Sequence, residues 1–316
     1  MLTIQNTEHF RVETPTIVTI GTFDGVHLGH QKILDRLKEM KEQTGLKTVV
    51  LTFDPHPRTV LFPEQKDLKL LTLVDEKLDL LDRYGVDITV VYPFSVEFSH
   101  LDPKLYISHI LVKSLKVKHL VIGYDHKFGS GRSGNIQTLR QYSDEYGYTV
   151  EEISARDIDH IAVSSSKIRK ALDEGNLALA TDFLGHSYMM DARVIEGKKL
   201  GRTLGYPTAN LRPEGPEKLM PATGVYFVKV VVNGRDYFGM MNIGTNPTTD
   251  SDLRIKPEVH IFDFDEMIYG KTIRITFLKR LRDEAKFKDL SSLKSALDGD
   301  KAECEKLIKK EFHLSA

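Results

Sequence analysis

The sequence predicts two domains: an α/β domain built on a parallel sheet, and a smaller, mainly antiparallel β-domain, a barrel or sandwich, that ends in a helix. The first observation is the alternation of strand-like and helix-like segments between residues 16 and 172, which favours a parallel sheet covered on both faces. The second is a change near Gly185 to short strands separated by turn signals. The length of 316 residues suits roughly two domains, expected at 1–185 and 186–316.

Apolar runs and helical periodicity predict the elements of the first domain. Strands are expected at Thr16–Ile20, Thr48–Phe53, Ile88–Tyr92, Leu120–Gly123 and Tyr148–Ile153, and helices through Ile33–Leu37 and at Thr72–Tyr84, Pro103–Leu115, Asn135–Tyr146 and Ser166–Leu172. Pro55 and Pro57 flank His56, so a stiff loop without helix is expected there. The loops at Gly21, Asp54 and Gly123 each follow a strand, so they should share one rim of the sheet.

Short apolar runs predict the elements of the second domain. The expected strands are Met189–Ile195, Val225–Val232, Tyr237–Ile243, Glu258–Phe262 and Thr272–Phe277, and the closing helix is Leu290–Phe312. Asn233-Gly234 stands between two alternating runs and is typical of a two-residue hairpin.

Composition excludes several classes of protein. Lys and Arg number 44 against 45 Asp and Glu, a net charge of −1, so no overall field favours nucleic acid or membrane. The single cysteine, Cys304, permits no disulfide within the chain. The polar N-terminus is unlike a secretory signal, and no apolar run approaches the roughly 20 residues of a membrane span. We therefore expect a cytoplasmic protein without nucleic acid or membrane partners, as a monomer or a weak oligomer.

The loop after the first predicted strand has the features of an anion site. An apolar strand stops at Gly21, and a small-residue loop carrying Asp24, His27 and His30 leads into a helix. Backbone N–H groups and a helix N-terminus converge in such a unit, which suits a phosphate. The two histidines admit three interpretations: metal ligands lacking a third partner, helix-capping or surface groups, or donors to phosphate oxygens.

Two later segments carry candidate donors. The serines at 164–166 would begin a helix, and Arg169 adds a fork suited to phosphate, although taken alone the segment fits an ordinary N-cap followed by a surface arginine better. The run from Gly129 to Gly134 matches GxGxxG, but its strand ends near Gly123, too early for a dinucleotide fingerprint.

The densest motif of the second domain is Gly201-Arg-Thr-Leu-Gly205-Tyr-Pro207-Thr208-Ala-Asn210. Thr208 and Asn210 offer hard oxygen ligands that suit Mg²⁺ beside a phosphate. A Gly/Pro loop with incidental hydroxyl groups is the alternative. Glu258 taken alone fits a solvated surface carboxylate, and Lys199 belongs to a basic pair that could contact phosphate.

These motifs resemble known families. The stretch Gly21-Thr-Phe23-Asp24-Gly25-Val-His27-Leu-Gly29-His30 resembles the HxGH signature of the nucleotidyltransferase superfamily, and Ser164-Ser165-Ser166-Lys-Ile-Arg169 resembles its Ser-Ser-Thr-x-Ile-Arg motif. The segment Gly123-Tyr-Asp125-His126-Lys-Phe128-Gly129 is similar to one in bacterial FAD synthetases, where an aromatic residue stands in place of His126. The Pro207–Asn210 run, the segments beginning at Asn242 and Glu258, and Arg282-Asp-Glu284-x-x-Phe287 resemble riboflavin kinases.

The chain is thus similar, over nearly its whole length, to the bifunctional bacterial riboflavin kinase/FAD synthetase family. The resemblance implies a Rossmann-like adenylyltransferase followed by a six-stranded kinase barrel, with riboflavin, FMN and ATP as substrates and Mg²⁺ as cofactor. Glu258 would accept the proton of the riboflavin hydroxyl while Thr208 and Asn210 help to hold Mg²⁺. His27, His30, Arg169 and the serines would act on the second ATP.

The resemblance also implies the remaining binding groups. ATP and its phosphates would contact Gly21, Phe23, Asp24, Gly25, Asp125, Ser164, Ser165, Lys199, Gly201, Gly205 and Pro207. Flavin would contact Asp54, Pro55, His56, Pro57, Asn242, Arg282, Glu284 and Phe287.

Two other functions remain open at this point. The chain could be an adenylyltransferase for another phosphorylated acceptor, with the barrel as a non-catalytic flavin-binding regulator. It could also be a flavin carrier with decayed sites, although the retained histidines, Thr208, Asn210 and Glu258 argue against that. An RNA-binding barrel is least favoured, because no aromatic and basic stripe is present.

Overall fold

The structure is a computed structural model that describes residues 1–5, 7–64, 68–124, 126–154, 163–197, 201, 204–245 and 255–312. It divides into two compact units, Met1–Ser165 and Ser166–Ala316. The division falls 20 residues before the boundary expected at 185/186, and the helices in between belong to the second unit. No helix of the described residues is long and apolar enough to cross a membrane.

The first unit is an α/β layer structure, as the sequence predicts. Its strands are β1 (Leu2–Gln5), β2 (Thr16–Ile20), β3 (Lys47–Asp54), β4 (Ile88–Pro93), β5 (Val117–Gly123) and β6 (Thr149–Ile153). Its helices are α1 (Leu28–Thr44), α2 (Pro57–Leu61), α3 (Val74–Arg83), α4 (Val96–Ser99), α5 (Pro103–Leu105) with the π-helix Tyr106–Ser114 directly after it, the 3-10 turn Ser130–Arg132, and α6 (Ile136–Tyr146).

The described strands of this unit form one parallel sheet in the order β1-β4-β3-β2-β5-β6. Successive residues of a strand point to opposite faces, and both faces are covered. Val18 belongs to an apolar cluster that includes Ile107 and Leu139, while Ile17 belongs to another that includes Leu37. Because both faces of the sheet are buried, each strand is a continuous apolar run, and such runs could be recognised in the sequence.

The strands that follow β2 in the chain lie on both sides of it in the sheet, which makes β2 the topological switch point. The next strands along the chain, β3 and β4, lie to one side of it, and β5 and β6 lie to the other. Ligands of parallel sheets collect beyond the carboxyl ends of the strands at such a point. The loops that begin at Gly21, Asp54 and Gly123 follow the adjacent strands β2, β3 and β5, so they share one rim.

The second unit contains a closed barrel. Its elements are α7 (Ser165–Asp173, which begins at the division), α8 (Leu177–Leu184), β7 (Met189–Ile195), β8 (Ala209–Pro213), β9 (Gly224–Val232), β10 (Arg235–Thr245), β11 (Ile255–Ile261), β12 (Thr272–Arg282) and α9 (Leu290–Phe312). The described barrel strands are antiparallel and close in the order β10-β11-β8-β7-β12-β9. The hairpin between β9 and β10 turns at Asn233-Gly234, as expected.

Several elements were not expected, including α4 and α8. Three others differ from expectation for a clear physical reason. The stiff loop expected at Pro55–Pro57 is confined to Pro55 and His56, and the short helix α2 begins at Pro57. Proline is accepted there because no N–H is needed in the first turn, and Nδ1 of His56 accepts the Arg58 amide at 3.1 Å. The edge strand β1 is too short and too exposed to show a pattern. The strand β8 could not be recognised in the sequence because it begins inside the Gly/Pro motif.

Candidate active sites

The loop between β2 and α1 is fixed in a strained conformation. Phe23 and Val26 have positive φ angles of 48° and 40°, which non-glycine residues adopt only where the surroundings impose them. Asp24 imposes part of this shape, because its Oδ1 accepts the amides of Leu71 and Thr72 at 2.9 and 3.0 Å. The Asp24 carboxylate therefore shapes the loop from within the fold.

Small residues keep the loop compact. A Cβ on Gly21 would lie 3.2 Å from Cε2 of Phe23, and Gly25, at φ 84°, donates to Oγ1 of Thr72 at 2.9 Å. The neighbouring strand β3 contributes as well, since Oγ1 of Thr52 donates to the Thr22 carbonyl at 3.1 Å.

The two histidines of the loop are stacked on each other. Their ring centroids lie 3.8 Å apart at an interplanar angle of 15°, and the ring of Phe23 lies 4.8 Å from that of His30. Burial lowers the pKa of His30 well below its usual value, and the positive charges of His27 and Lys77 lower it further. His30 is therefore neutral in the free protein, and its Nδ1 is buried without a hydrogen-bond partner among the described residues.

Ser165 is brought to this loop from far along the chain. It begins α7, and its Oγ donates to the Asp24 carbonyl at 3.2 Å. Ser164 lies just before the helix, and Arg169 lies one turn further along α7, within the second unit. Asp125 and Lys199, both expected to bind phosphate or nucleotide, lie outside the described residues.

An aromatic cluster that the sequence reasoning did not identify lies beside the rim loop of β3. The ring of Phe53 lies 5.5 Å from that of Phe94 and 6.0 Å from that of Phe98. Phe53 directly precedes the Asp54–Pro57 segment expected to contact flavin, and the peptide bond between Asp54 and Pro55 is cis. The sequence placed only Phe53, at the end of an expected strand, since the convergence of the three rings depends on β3 and β4 being neighbours.

His126 behaves as an aromatic residue. Its ring stacks on Phe128 with centroids 5.8 Å apart at 25°. Burial, with a smaller contribution from Arg132, lowers the pKa of His126 to about 4, so the ring is uncharged at neutral pH. It can thus stack as an uncharged aromatic ring.

In the second unit, strand register gathers a polar row across three strands. Asn242 of β10 pairs with Glu258 of β11, and Glu258 pairs with Asn210 of β8. Paired residues on neighbouring strands project to the same face, while the next residue, Val259, faces the other way and is buried. Thr208, two residues before Asn210, donates its hydroxyl to Oε2 of Glu258 at 3.2 Å. Thr208, Asn210, Glu258 and Asn242 thus form one group.

Close backbone packing supports this group. A Cβ on Gly197 would lie 1.9 Å from Nδ2 of Asn210, and one on Gly201 would lie 2.1 Å from the Tyr206 carbonyl. Gly205 has φ 84°. Nδ1 of His260 contacts the carbonyl of Pro207 at 2.8 Å. Glycine is therefore needed at 197 and 201, where any side chain would displace the motif.

The residues expected to contact flavin in the barrel form two neighbouring sets. A Cβ on Gly244 would lie 2.5 Å from Oε1 of Glu284 and 2.8 Å from Nδ2 of Asn242, so these two side chains meet above Gly244. Arg282 forms a bidentate ion pair with Asp300 of α9, at 2.9 and 2.7 Å, and lies 5.7 Å from the ring of Phe287.

A cleft of about 280 Å³ opens beside Thr208. Its walls are Pro207, Val259 and Ile261 together with the segment 264–269. The combination of an apolar wall and an adjacent hydroxyl group suits a flat ring system that carries a polar chain.

Comparison with known proteins assigns a family model to each unit. A model described as FAD synthetase matches residues 9–167, and one described as riboflavin kinase matches residues 184–308. A protein of Listeria monocytogenes named bifunctional riboflavin kinase/FMN adenylyltransferase is 40% identical over 285 residues, 90% of each chain. A Bacillus subtilis protein of the same name is 38% identical over 295 residues, 92% of each chain.

The fold is similar to that of a solved structure over nearly the whole chain. That structure is titled as a macrolide-efflux protein from Streptococcus pneumoniae, has a TM-score of 0.85 and 31% identity, and the match covers 96% of this chain and 98% of that chain.

Proposed function

Because the chain belongs to the bifunctional riboflavin kinase/FMN adenylyltransferase family, we propose that it catalyses two successive transfers from ATP. The barrel unit phosphorylates riboflavin to FMN and releases ADP. The parallel-sheet unit joins FMN to the adenylyl group of a second ATP, giving FAD and pyrophosphate.

In the barrel unit, Glu258 is the proton acceptor. Its carboxylate stands beside Thr208 and in register with Asn210 and Asn242, where it can take the proton of the riboflavin 5′-hydroxyl as that oxygen attacks the γ-phosphate. Asn242 and Glu284, which meet above Gly244, orient the flavin. The cleft beside Thr208 takes the adenosine of ATP.

The donors in this unit fit Mg²⁺. Thr208 and Asn210 offer neutral oxygens next to a carboxylate, a set of hard ligands that leaves room for substrate phosphates. These two residues would hold the ion, which when bound neutralises charge on the phosphate chain. Gly197 leaves the space that the Asn210 side chain occupies.

In the parallel-sheet unit, the phosphate of FMN is the nucleophile and needs no general base because it is already ionised at neutral pH. The site must align the reactants and stabilise charge on the α-phosphate. His27, His30, the loop backbone between Gly21 and Gly25, Ser164, Ser165 and Arg169 supply donors, and Asp125 is a further candidate. The segment Asp54–Pro57 and the adjoining aromatic rings hold the flavin.

The observation that best supports this proposal is that each unit carries its own group of converging donors at a place where its fold collects ligands. A chromatographic time course with riboflavin and Mg-ATP tests it. FMN should accumulate first and FAD follow, with one ADP and one pyrophosphate released per FAD. If only added FMN were converted, the barrel would be a non-catalytic flavin-binding module.

A further inference from the structure

We propose that Lys77 binds a phosphate of the substrate in the site formed by His27 and His30, and so is a further binding residue for adenylyl transfer. This inference rests on the proposed placement of that site.

The burial of Lys77 calls for an anionic partner. Its side chain is only 5% exposed, because it occupies the apolar stripe of α3 together with Leu80 and Leu81. A buried charge is costly unless it is paired. Among the described residues the ammonium forms no ion pair, and its contact is with Oγ1 of Thr52 at 3.2 Å. An ammonium has three N–H donors, so donors remain for a ligand.

The position of the ammonium joins it to the proposed site. Thr52, which receives its hydrogen bond, also donates to the Thr22 carbonyl of the loop that carries the histidines. Lys77 is close enough to His30 to lower the pKa of that imidazole. The carboxylates of Asp24 and Asp54, on the rim loops of β2 and β3, act on Lys77 in turn. The ammonium therefore lies where these two loops meet.

Burial lowers the pKa of Lys77, and Asp24 and Asp54 only partly oppose this effect. An incoming phosphate would stabilise the charged form and use the remaining donors in charge-assisted hydrogen bonds. A purely structural role, in which Lys77 supports the loop through Thr52, is the alternative. The two roles differ in one respect: phosphate binding needs the charge, whereas support of the loop needs only the contact with Thr52.

The experiment compares three variants of the full chain in the FMN-to-FAD assay. Lys77→Met keeps the aliphatic stem and removes the charge, and Thr52→Val removes the hydroxyl group but keeps the ammonium. Lys41→Met is the matched control, since Lys41 belongs to the same unit and is bound to Asp87 at 2.6 Å. Inhibition constants are measured with pyrophosphate and with adenosine, an anionic and an uncharged probe of the same site. Using inhibition of FAD formation restricts the measurement to this site.

Lys77→Met should weaken inhibition by pyrophosphate, and lower kcat/KM for ATP, by about 10- to 100-fold, the range of a hydrogen bond to a charged group. Inhibition by adenosine should change by less than about twofold, and Lys41→Met should match the wild type. The inference is overturned if pyrophosphate inhibits Lys77→Met normally, if Thr52→Val reproduces the loss, or if adenosine inhibition is lost equally.

A His30→Gln variant, assayed in parallel, separates the proposed location of the adenylyl-transfer site from the proposed role of Lys77 within it. Undiminished FAD formation by that variant would reject the proposed site itself. An inactive His30→Gln variant, together with normal pyrophosphate inhibition of Lys77→Met, would reject Lys77 alone.

Discussion

Replacing Glu258 with glutamine tests the proposed proton acceptor. Glutamine has nearly the same shape, and its side-chain carbonyl can still accept the Thr208 hydroxyl, now bound at 3.2 Å. The barrel should therefore fold, with at most about 1 kcal/mol lost from the weakened hydrogen bond. An amide cannot accept the proton of the riboflavin hydroxyl at neutral pH, so the chemical step should slow.

The expected loss of rate follows from the proposed role of Glu258 as a general base. General base catalysis contributes roughly 10²- to 10⁴-fold, which corresponds to about 3 to 5 kcal/mol in the activation barrier. Riboflavin phosphorylation should fall by that factor, chiefly in kcat. FMN adenylylation by the same preparation should stay within about twofold of the wild type, because the His27 and His30 loop belongs to the other unit.

The assay follows riboflavin, FMN and FAD by chromatography, starting from riboflavin in one series and from FMN in the other. Glu214→Gln is the matched control. Glu214 also accepts a threonine hydroxyl, that of Thr272, but it lies four residues beyond Asn210, about 13 Å along an extended chain. A titration with Mg²⁺ accompanies each series.

Two results would refute this reasoning. If Glu258→Gln formed FMN at more than about a third of the wild-type rate, Glu258 would not be the proton acceptor. If a high Mg²⁺ concentration restored its rate, the carboxylate would serve chiefly as a metal ligand. An equal loss of both activities would indicate general damage, which a thermal unfolding curve would reveal.

Three further results are expected. His30→Ala should abolish FMN adenylylation and leave riboflavin phosphorylation within about twofold, a split that the two chromatographic series would measure; equal losses would contradict separate sites. The lowered pKa of His126, about 4 against 6.5 for an ordinary histidine, means that the unfolded chain binds the extra proton first, so stability falls as pH drops below 6.5. Between pH 7 and pH 5 the free energy of unfolding of the wild type should fall by about 2 kcal/mol more than that of His126→Phe. Urea unfolding at both pH values measures this difference, and an identical pH dependence of the two proteins would show that the His126 ring is not kept neutral by burial. Gly197→Ala should reduce only riboflavin phosphorylation, because its Cβ would lie 1.9 Å from Nδ2 of Asn210, and an unchanged rate would show that Asn210 can move without consequence.

The first domain was readable because local pattern and final environment agree there. The strand Thr16–Ile20 is predicted and observed with the same bounds, since a strand buried on both faces needs an unbroken apolar run. The helix expected to end at Tyr84 ends at Arg83, two residues before Gly85 with its positive φ of 78°. By contrast, α2 was missed because Pro57 was treated as a helix breaker, whereas in the first turn it is favourable.

The candidate site was only partly readable. His27 and His30 stand three positions apart and were found by their spacing. Their stacking at 3.8 Å depends on the shape of the loop before them, in which Phe23 and Val26 have positive φ angles. Lys77 did leave a signal, a lysine in an apolar helical stripe with Leu80 and Leu81. That signal carried no chemical meaning until β3 placed Thr52 against it.

The sequence by itself determined the kinds of chemistry available, because hydroxyl groups, imidazoles and carboxylates are present or absent whatever the fold. It also determined most strands and helices, since each depends mainly on neighbours within a few residues. Tertiary structure decided which groups meet: Glu258 reaches Thr208, 50 positions earlier in the chain, only because the closed barrel sets the register of β11 against β8. It alone decided burial, and with it the lowered pKa values of His30, His126 and Lys77, because desolvation depends on every element packed around a side chain.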